Sequence, residues 1–351
     1  MGPPTSPFQP YAGFHTYPQG PGDQRPTALQ VVHDCNVSLR DKVCLITGCS
    51  SGIGVETARA LYEVGATLFL TARDIPKLER VIDGIVSSST FSTTGEAPPP
   101  RPQAIELHLD SLDSVQAGAE AFLSRSTKLN ILIANAGVMG CPLTHTTDGF
   151  ERHMGTNYFA HFLLFALLAP ALLSSAAASA TISRVISVSS AGHCFSGIRF
   201  DDMHWTASDA YNKWQAYGQS KTANIYMANS ITRHYASRNL IGLSVHPGVV
   251  ATELMRHLTA DDYTAMDAAS LARSYKSAEQ GAATTVWAAL SKHFEDVGNG
   301  GRYLADVGEC GRASEDADTA ATGYHAHAYD EEKEERLWRM TCERLGVLVD
   351  E

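Results

Sequence analysis

An apolar run that ends at a glycine-rich turn constrains the fold of this chain more than any other feature. Residues 43–46 read Val-Cys-Leu-Ile, and Thr47 opens the turn Gly48-Cys49-Ser50-Ser51-Gly52-Ile53-Gly54, after which helical spacing continues to Val64. The pattern predicts a strand, a turn and a helix start, where free backbone N–H groups attract phosphate. Side chains at the three glycines would block that approach. Because glycine-rich turns also occur without a ligand, this motif alone leaves both interpretations open.

A second apolar run completes a β-α-β unit and bears on the choice of cofactor. Residues 67–71 predict a strand that ends at Ala72-Arg73, where a fold that prefers NAD usually places an acid on the ribose 2′-hydroxyl. No acid stands at Ala72, and the Arg73 guanidinium matches a 2′-phosphate. We therefore expect NADP(H) to be preferred, with NAD(H) possible. The alternative is a solvated Arg73 that Asp74 neutralises.

Strands and helices alternate along the rest of the chain. Apolar runs predict strands at 104–109, 129–134, 184–188, 241–245 and 301–305, and helical spacing predicts helices at 77–86, 210–236, 278–290 and 331–345. This alternation is typical of an α/β fold, a Rossmann-type doubly wound parallel sheet of about seven strands with helices on both faces, in a single domain. Ligands of such folds lie outside the carboxyl ends of the strands.

Composition divides the chain into three parts. Residues 1–38 form a proline-rich arm that we expect to be flexible; the alternative is that its aromatic residues Phe8, Tyr11, Phe14 and Tyr17 dock on the globular body or on a partner chain. Residues 39–310 form the dinucleotide-binding catalytic domain, and residues 311–351 form an extension with a terminal helix. Within the domain, 87–102 is predicted to be a surface insertion and 252–275 a substrate lid.

Charge and residue usage exclude several functions. A net charge of -11 argues against nucleic acid and anionic membranes, and the seven cysteines show no metal or disulfide spacing, which favours a cytoplasmic protein. The apolar run at 158–173 is short for a membrane span and contains His161 and Pro170, so we interpret it as a buried helix. His325 and His327 would face the same way on a strand, but no further ligand accompanies them, and no metal site is predicted.

Tyr217 and Lys221 stand four residues apart in a predicted helix and so share one face. A neighbouring ammonium favours the phenolate and would bring the pKa of Tyr217 toward neutrality, which suits exchange of a proton with an alcohol or carbonyl oxygen. The same spacing also arises by chance on solvated helices, so the pair gains its meaning from the other motifs.

Taken in order, these motifs resemble the classical short-chain dehydrogenase/reductase family over roughly residues 40–310. The resemblance is carried by the glycine turn, Asn135-Ala136-Gly137, Ser190, Tyr217-x-x-x-Lys221 and Pro247-Gly248. The stretches Asn157-Tyr158-Phe159-Ala160-His161-Phe162 and Val245-His246-Pro247-Gly248 are similar to the branch of retinol dehydrogenases and the WW-domain oxidoreductase.

The resemblance implies a catalytic set of Asn157, Ser190, Tyr217 and Lys221. Ser190 would orient the substrate oxygen, Lys221 would hold the nicotinamide ribose, and Asn157 would hold a water that links Lys221 to solvent. Ser189 is the alternative to Ser190. The expected cofactor-binding residues are Gly48, Ser50, Ser51, Gly52, Ile53, Gly54, Arg73, Asp110, Asn135, Ala136, Gly137, Tyr217, Lys221, Pro247, Gly248, Val250 and Thr252.

Two of these assignments keep an alternative. Asp110 follows a strand and could meet the adenine amino group or cap the helix that begins near Leu112. Thr252 could touch the cofactor carboxamide or cap the next helix. The turn residues Cys49, Ser50 and Ser51 lack the basic residue of many NADP-dependent relatives, which weakens the expected NADP preference.

We therefore expect an NADP(H)-dependent oxidoreductase that interconverts a carbonyl and an alcohol on a hydrophobic small molecule such as a polyketide, steroid or lipid. Substrate contacts are expected from His193, Cys194, the 139–145 loop and apolar lid residues including Leu254, Met255, Leu258, Tyr263 and Met266. The alternatives are a non-catalytic dinucleotide-binding sensor or scaffold, and a nucleotide-sugar epimerase or dehydratase. By resemblance the chain would form a homodimer or homotetramer.

Overall fold

The apolar run at 43–46 forms an inner strand of an eight-stranded sheet. The computed structural model describes residues 3–4, 6–91, 97–179, 181–206, 211–265, 271–314 and 323–348. The strands are β1 Val43–Ile46, β2 Thr67–Ala72, β3 Gln103–Glu106, β4 Ile131–Ala134, β5 Ser183–Val188, β6 Leu240–His246, β7 Val249–Val250, β8 Tyr275–Lys276, β9 Tyr303–Ala305 and β10 Gly308–Glu309. The main sheet has the order β10-β9-β6-β5-β4-β1-β2-β3, and β7 pairs with β8 in a separate sheet.

The sheet is parallel except at one edge. All neighbours from β3 to β9 run parallel, and only β10 is antiparallel, to β9. The predicted doubly wound sheet of about seven strands is therefore confirmed, with β10 as an added edge strand. Two residues are too few to show a periodicity, which explains why β10, β7 and β8 were not predicted.

Helices cover both faces of the sheet. They are α1 Ala28–Cys35, α2 Ile53–Glu63, α3 Ile75–Ser87, α4 Leu112–Leu123, α5 Ala160–Ser179, α6 Lys213–Tyr235, α7 Ala260–Ala265, α8 Ala278–Leu290 and α9 Glu331–Leu345. Cys44 and Ile46 of β1 point to a core shared with α1, α2, α3 and α8, while Leu45 points to a core shared with α4, α5, α6 and α9. Alternation along a strand thus separates two cores.

The N-terminal arm differs from the expected flexible tail. It contains α1, which packs against α8 and α2, and the Phe8 carbonyl accepts a hydrogen bond from the Glu309 N–H at 2.9 Å. Arg25 is buried. Composition alone did not predict this order, because the groups that hold the arm lie more than 200 residues away along the chain.

The C-terminal extension packs onto the same domain. The predicted helix 331–345 is present as α9, and the Trp338 ring lies 4.8 Å from that of Phe162 and 6.1 Å from that of Phe165, measured between centroids. His325 and His327 would face the same way on a strand, but residues 326–328 form a 3-10 turn, whose backbone hydrogen bonds are local.

The most apolar helix of the chain is interior to the fold. Residues 154–179 are continuous helix, long and apolar enough by composition to cross a membrane, and most of the residues of α5 are buried. Phe162, Phe165 and Leu168 pack in the core that α5 shares with α6 and α9. This packing agrees with the prediction of a buried helix.

Candidate active site

The polar residues that follow the strands surround one cavity of about 380 Å³ at the carboxyl edge of the sheet. Its lining includes every predicted cofactor-binding residue, together with Ser190; in chain order these are Gly48, Ser50, Ser51, Gly52, Ile53, Gly54, Arg73, Asp110, Asn135, Ala136, Gly137, Ser190, Tyr217, Lys221, Pro247, Gly248, Val250 and Thr252. Asn157 is fully buried behind this lining.

The glycine turn leaves backbone donors free at the cavity. Gly52 precedes α2 with φ at 65° and gives it no side-chain cap, so the first N–H groups of α2 keep their capacity to bind an anion. Gly48 has φ at 74°, and a Cβ there would lie 2.8 Å from the Cβ of Ala136. Asn135 Oδ1 is buried with no partner within the described residues. Free donors and an unpaired acceptor at one cavity fit a dinucleotide.

A hydroxyl beneath the glycine turn joins two strand ends. Thr47 Oγ1 accepts hydrogen bonds from the N–H groups of Asn135 (2.9 Å) and Ala136 (3.0 Å) and lies 2.9 Å from His161 Nε2. His161 Nδ1 lies 3.0 Å from the Asn157 carbonyl, which can only accept, so Nδ1 carries the proton and Thr47 donates to Nε2. Burial lowers the pKa of His161 to about 4 and keeps it neutral.

Asn157 sits in a π-helical turn at residues 154–159, just before α5. Its Oδ1 accepts from the Val138 N–H at 2.8 Å, and its Nδ2 donates to the Val138 carbonyl at 3.0 Å and to Ser220 Oγ at 2.9 Å. Asn157 therefore holds the turn that follows β4 against the helix α6. π-Turns interrupt helices mostly at functional sites.

Tyr217 and Lys221 lie on the buried face of α6, with the Lys221 ammonium 5.6 Å from the centre of the Tyr217 ring. Lys221 Nζ donates to the Val188 carbonyl at 2.8 Å. Burial raises the pKa of Tyr217 to about 12, against a smaller lowering by the hydrogen bond with Ser190, and burial lowers the pKa of Lys221 to about 7.

The expected lowering of the Tyr217 pKa by Lys221 is therefore wrong for the protein without cofactor. Burial acts on both groups and disfavours both charged forms, so the phenol stays protonated and the amine loses much of its charge near neutral pH. A protonated phenol suits donation of a proton to a carbonyl oxygen.

Ser190 and Ser189 take different positions. Ser190 lies beside Tyr217, and its Oγ accepts from the Gly192 N–H at 3.0 Å at the start of the 3-10 turn 191–195. Ser189 Oγ points the other way and donates to the Lys221 carbonyl at 2.7 Å. The geometry thus brings Ser190, and not Ser189, to the phenol.

His193 and Cys194 do not line the cavity, contrary to expectation. His193 is buried, its Nδ1 lies 2.8 Å from the Ser190 carbonyl, and its Nε2 accepts from the His325 N–H at 3.0 Å. The ring thereby joins the serine turn to the C-terminal extension. His327 Nε2 lies 3.0 Å from the His193 carbonyl, so this is a docking contact; among the described residues no cluster has the composition of a metal site.

The remaining cofactor candidates have the following contacts. Arg73 is exposed at the cavity edge and makes no ion pair with the residues that the structure describes, while Asp74 accepts from the Lys77 N–H as the cap of α3. Asp110 pairs with Arg152 at 3.3 Å, and Ser111 caps α4, so the capping alternative for Asp110 is wrong. Thr252 lines the cavity and also caps the 3-10 turn 253–257.

Several apolar side chains line the cavity, and we name this set of residues the apolar wall. Phe195 and Trp214 lie with ring centroids 6.2 Å apart, and Met139, Leu254 and Met255 complete the wall. Leu258 packs beside Gly140, and Met266 lies outside the described residues. Phe195 and Trp214 were not predicted, because nothing in the local sequence aims these rings at the cavity.

Sequence reasoning also missed a buried pair behind Tyr217. The His153 ring centroid lies 6.0 Å from that of Tyr217, and its Nδ1 lies 2.7 Å from Glu151 Oε1. His153 Nε2 accepts from the Cys141 N–H at 3.2 Å and so holds the loop that carries Met139. Two signals in the sequence could have revealed this pair. One is the Glu151-x-His153 spacing, and the other is its place at the start of an apolar helix, where a buried charge is costly unless an opposite charge accompanies it.

Known proteins share this chain's sequence nearly end to end. A family model described as short chain dehydrogenase matches residues 42–200. The short-chain dehydrogenase/reductase prx1 of Penicillium roqueforti is 43% identical over 331 residues, which cover 93% of this chain and 92% of that protein. The chain belongs to the short-chain dehydrogenase/reductase family. Retinol dehydrogenase 12 of Mus musculus is 36% identical over 312 residues, 89% of each chain, which confirms the predicted branch.

Solved structures agree with the fold. A protein from Mycobacterium paratuberculosis superposes with a TM-score of 0.65 at 29% identity over 90% of this chain and 97% of that chain. RhlG from Pseudomonas aeruginosa, solved with NADP, gives a TM-score of 0.59 at 25% identity over 76% and 95%.

This short-chain dehydrogenase/reductase is an NAD(P)-dependent oxidoreductase that acts on CH–OH groups. The bound nicotinamide supplies or accepts the hydride. In the protein, the turn 48–54 would hold the pyrophosphate, and Lys221, which lines the same cavity, would hold the nicotinamide ribose. Tyr217 would exchange the proton with the substrate oxygen while Ser190 orients that oxygen.

We expect Tyr217→Phe to lose turnover by about 10² to 10⁴, because the variant keeps the ring and loses the proton. Cofactor affinity should stay within a factor of about two. Steady-state reduction of a ketone panel and fluorescence titration of NADPH measure the two effects. Full turnover by the variant, with normal cofactor binding, would refute the role of Tyr217 in proton exchange.

We expect Lys221→Met to stabilise the nucleotide-free protein most at neutral pH. Because the folded pKa of Lys221 is lowered to about 7, the unfolded chain binds an extra proton between that value and the ordinary 10.5. Wild-type stability therefore rises with pH through this window, and the advantage of the variant should shrink by roughly 1 kcal/mol per pH unit. Chemical denaturation at about pH 7 and about pH 9 measures it; a difference independent of pH would contradict the burial argument.

Proposed function

We propose that this enzyme uses NADP(H) in preference to NAD(H) to interconvert a carbonyl and an alcohol on a hydrophobic small molecule. The observation that carries the cofactor preference is Arg73, exposed at the cavity edge where a 2′-phosphate would lie and without an ion pair among the described residues. Since Asp74 is used as a helix cap, the guanidinium keeps its full capacity for a phosphate.

Three further points support this preference. Ala72 leaves no carboxylate at the end of β2 to take a ribose hydroxyl or to repel a phosphate. Ser50 and Ser51 line the same cavity as Arg73, and the Ser51 hydroxyl donates to Glu253 Oε2 at 3.1 Å, which leaves the Ser50 hydroxyl as a donor for a phosphate. RhlG, a structural neighbour, was solved in complex with NADP.

We expect Arg73→Ala to weaken NADPH binding about tenfold or more, because a charge-assisted hydrogen bond contributes about 1.5 to 3 kcal/mol. NADH binding should be nearly unchanged, so the preference disappears. Parallel fluorescence titrations of both nucleotides measure it. Arg80→Ala is the matched control, since Arg80 is an exposed residue of α3 that does not line the cavity. An equal loss for both nucleotides would refute the role of Arg73.

The apolar wall supports a hydrophobic substrate. Phe195, Trp214, Met139, Leu254 and Met255 present apolar surface to the cavity that Tyr217 also lines. Burial of an apolar substrate against such a wall contributes roughly 25 cal/mol per Å², whereas a polar sugar would leave its hydroxyls without partners there. For this reason we favour a ketone or aldehyde of a polyketide, steroid or lipid over a nucleotide sugar.

We expect Trp214→Ala to lower kcat/KM for acetophenone by about tenfold while changing that for acetone by less than about twofold, because only the aryl ketone fills the wall. Initial rates of NADPH oxidation give both values. Phe195→Leu is a milder companion that keeps apolar contact. A uniform loss for both ketones would show that Trp214 acts on the fold of the site and not on substrate selection.

A further inference from the structure

The guanidinium of Arg25 is buried where the N-terminal arm meets the backbone of residues 274–275, at the C-terminal end of the segment 252–275 that was predicted to be a substrate lid. Its Nε donates to Asp23 Oδ1 at 2.8 Å, its Nη1 to the Ser274 carbonyl at 2.9 Å, and its Nη2 to the carbonyls of Tyr275 (2.6 Å) and Gly20 (3.1 Å). The Arg25 side chain is 4% exposed and that of Asp23 5%. A buried charge with this many hydrogen-bond partners is unusual in a proline-rich arm.

The carbonyls that Arg25 holds belong to the chain that enters β8. Tyr275 and Lys276 form β8, which pairs with Val249 and Val250 of β7. Both residues of β7 line the cofactor cavity. Within the described part of the chain, β8 is the only strand that pairs with β7, so the position of β8 sets the position of this part of the cavity wall.

Gln280 of α8 fixes the arm from the other side. Its Oε1 accepts from the N–H groups of Gly22 and Ser277, both at 3.0 Å, and its Nε2 donates to the carbonyls of Asp23 (3.1 Å) and Arg25 (3.0 Å). The side chain is buried at the N-terminal turn of α8. The arm segment is thus held by α8 and in turn holds the entry to β8.

A second contact from the arm reaches the same strand. His15 Nδ1 lies 3.2 Å from Asp306 Oδ1, and Lys276 Nζ lies 2.7 Å from the same oxygen. The Lys276 side chain packs beneath Gly248, whose added Cβ would lie 2.8 Å from Lys276 Cδ and Cε. The arm therefore meets both residues of β8, directly at Tyr275 and through Asp306 at Lys276.

We propose that residues 20–25, which we name the arm bracket, position β7 for cofactor binding, with Arg25 as the positioning residue. None of these residues lines the cavity, so the bracket acts through β8. The proposal rests on NAD(P) binding by the family and is independent of the preference for NADP(H). It makes the N-terminal arm a part of the cofactor site.

Loss of the guanidinium would act on β8 in two ways. The carbonyls of Ser274 and Tyr275 would lose their donors, and the buried carboxylate of Asp23 would lose its cation, which forces the segment to rearrange toward water. Because β7 has only two residues and pairs with β8, a movement of β8 shifts β7 with it. Coupling is reciprocal, so a nucleotide that binds against β7 must also stabilise the bracket.

The first experiment titrates NADPH and NADH against the full-length Arg25→Met variant by fluorescence. Kd should rise about fivefold or more for both nucleotides. Arg25→Lys keeps the charge beside Asp23 but lacks the planar guanidinium, so its Kd should lie between those of the wild type and Arg25→Met. Gln30→Ala changes an exposed residue of the same arm that lies outside the bracket and outside the cavity lining, and should leave Kd unchanged.

A stability-matched control separates positioning from general destabilisation. Leu337→Ala removes a buried side chain of α9 that does not line the cavity, and lowers the melting temperature without touching the arm. Its nucleotide Kd should equal that of the wild type. An unchanged Kd in Arg25→Met, or an equal rise in Leu337→Ala, overturns the proposal.

Hydrogen exchange tests the same coupling without depending on nucleotide affinity. In the nucleotide-free state, amides of 249–250 and 275–276 should exchange faster in Arg25→Met than in wild type or Leu337→Ala. In the wild type, NADPH should slow exchange at residues 20–25. If neither nucleotide binds the wild type, the proposed function fails, while the nucleotide-free comparison still decides whether the bracket holds β7; equal exchange rates there refute it.

Discussion

The site depends on the hydrogen bonds of the Thr47 hydroxyl. This hydroxyl accepts two backbone N–H groups from the turn after β4 and donates to the buried ring of His161, whose other nitrogen holds the carbonyl of Asn157. Asn157 then holds the same turn from the opposite side through Val138. This closed set of bonds uses all the hydrogen-bonding capacity of a threonine and a neutral histidine, so it fixes the floor of the cofactor cavity against α5 and α6.

Above this floor, burial sets the proton chemistry. The same lack of water raises the pKa of Tyr217 and lowers that of Lys221, which leaves an uncharged acid and a weakened cation facing one cavity. Burial disfavours the charged form of Lys221, and a bound cofactor that solvates the ammonium would restore its charge. Pre-organised groups of this kind sit best on rigid elements, and both lie on α6, a helix of 23 residues.

The sequence predicted most elements closely where local signals were strong. The helix 278–290 matches because Ser277 and Gln280 form a capping box, and the helix 331–345 matches because Asp330 caps it and Gly346 ends it. The rule that ligands lie at the carboxyl ends of parallel strands predicted the place of the site, and the family resemblance supplied most of the individual cofactor-lining residues. The individual contacts of the arm could not be predicted from the sequence, because they join residues that are distant along the chain, such as Arg25 and Tyr275.

The sequence by itself determined the order of strands and helices and the residues that end them, since hydrophobic periodicity and turn chemistry are local properties. Tertiary structure alone decided which groups face each other. His193 was expected to contact the substrate, but it accepts a hydrogen bond from the C-terminal extension. Phe195 and Trp214 line the cavity as part of the apolar wall, and the arm packs as part of the fold. Burial and long-range hydrogen bonds depend on neighbours far along the chain, and these neighbours are set only when the sheet and its helices pack together.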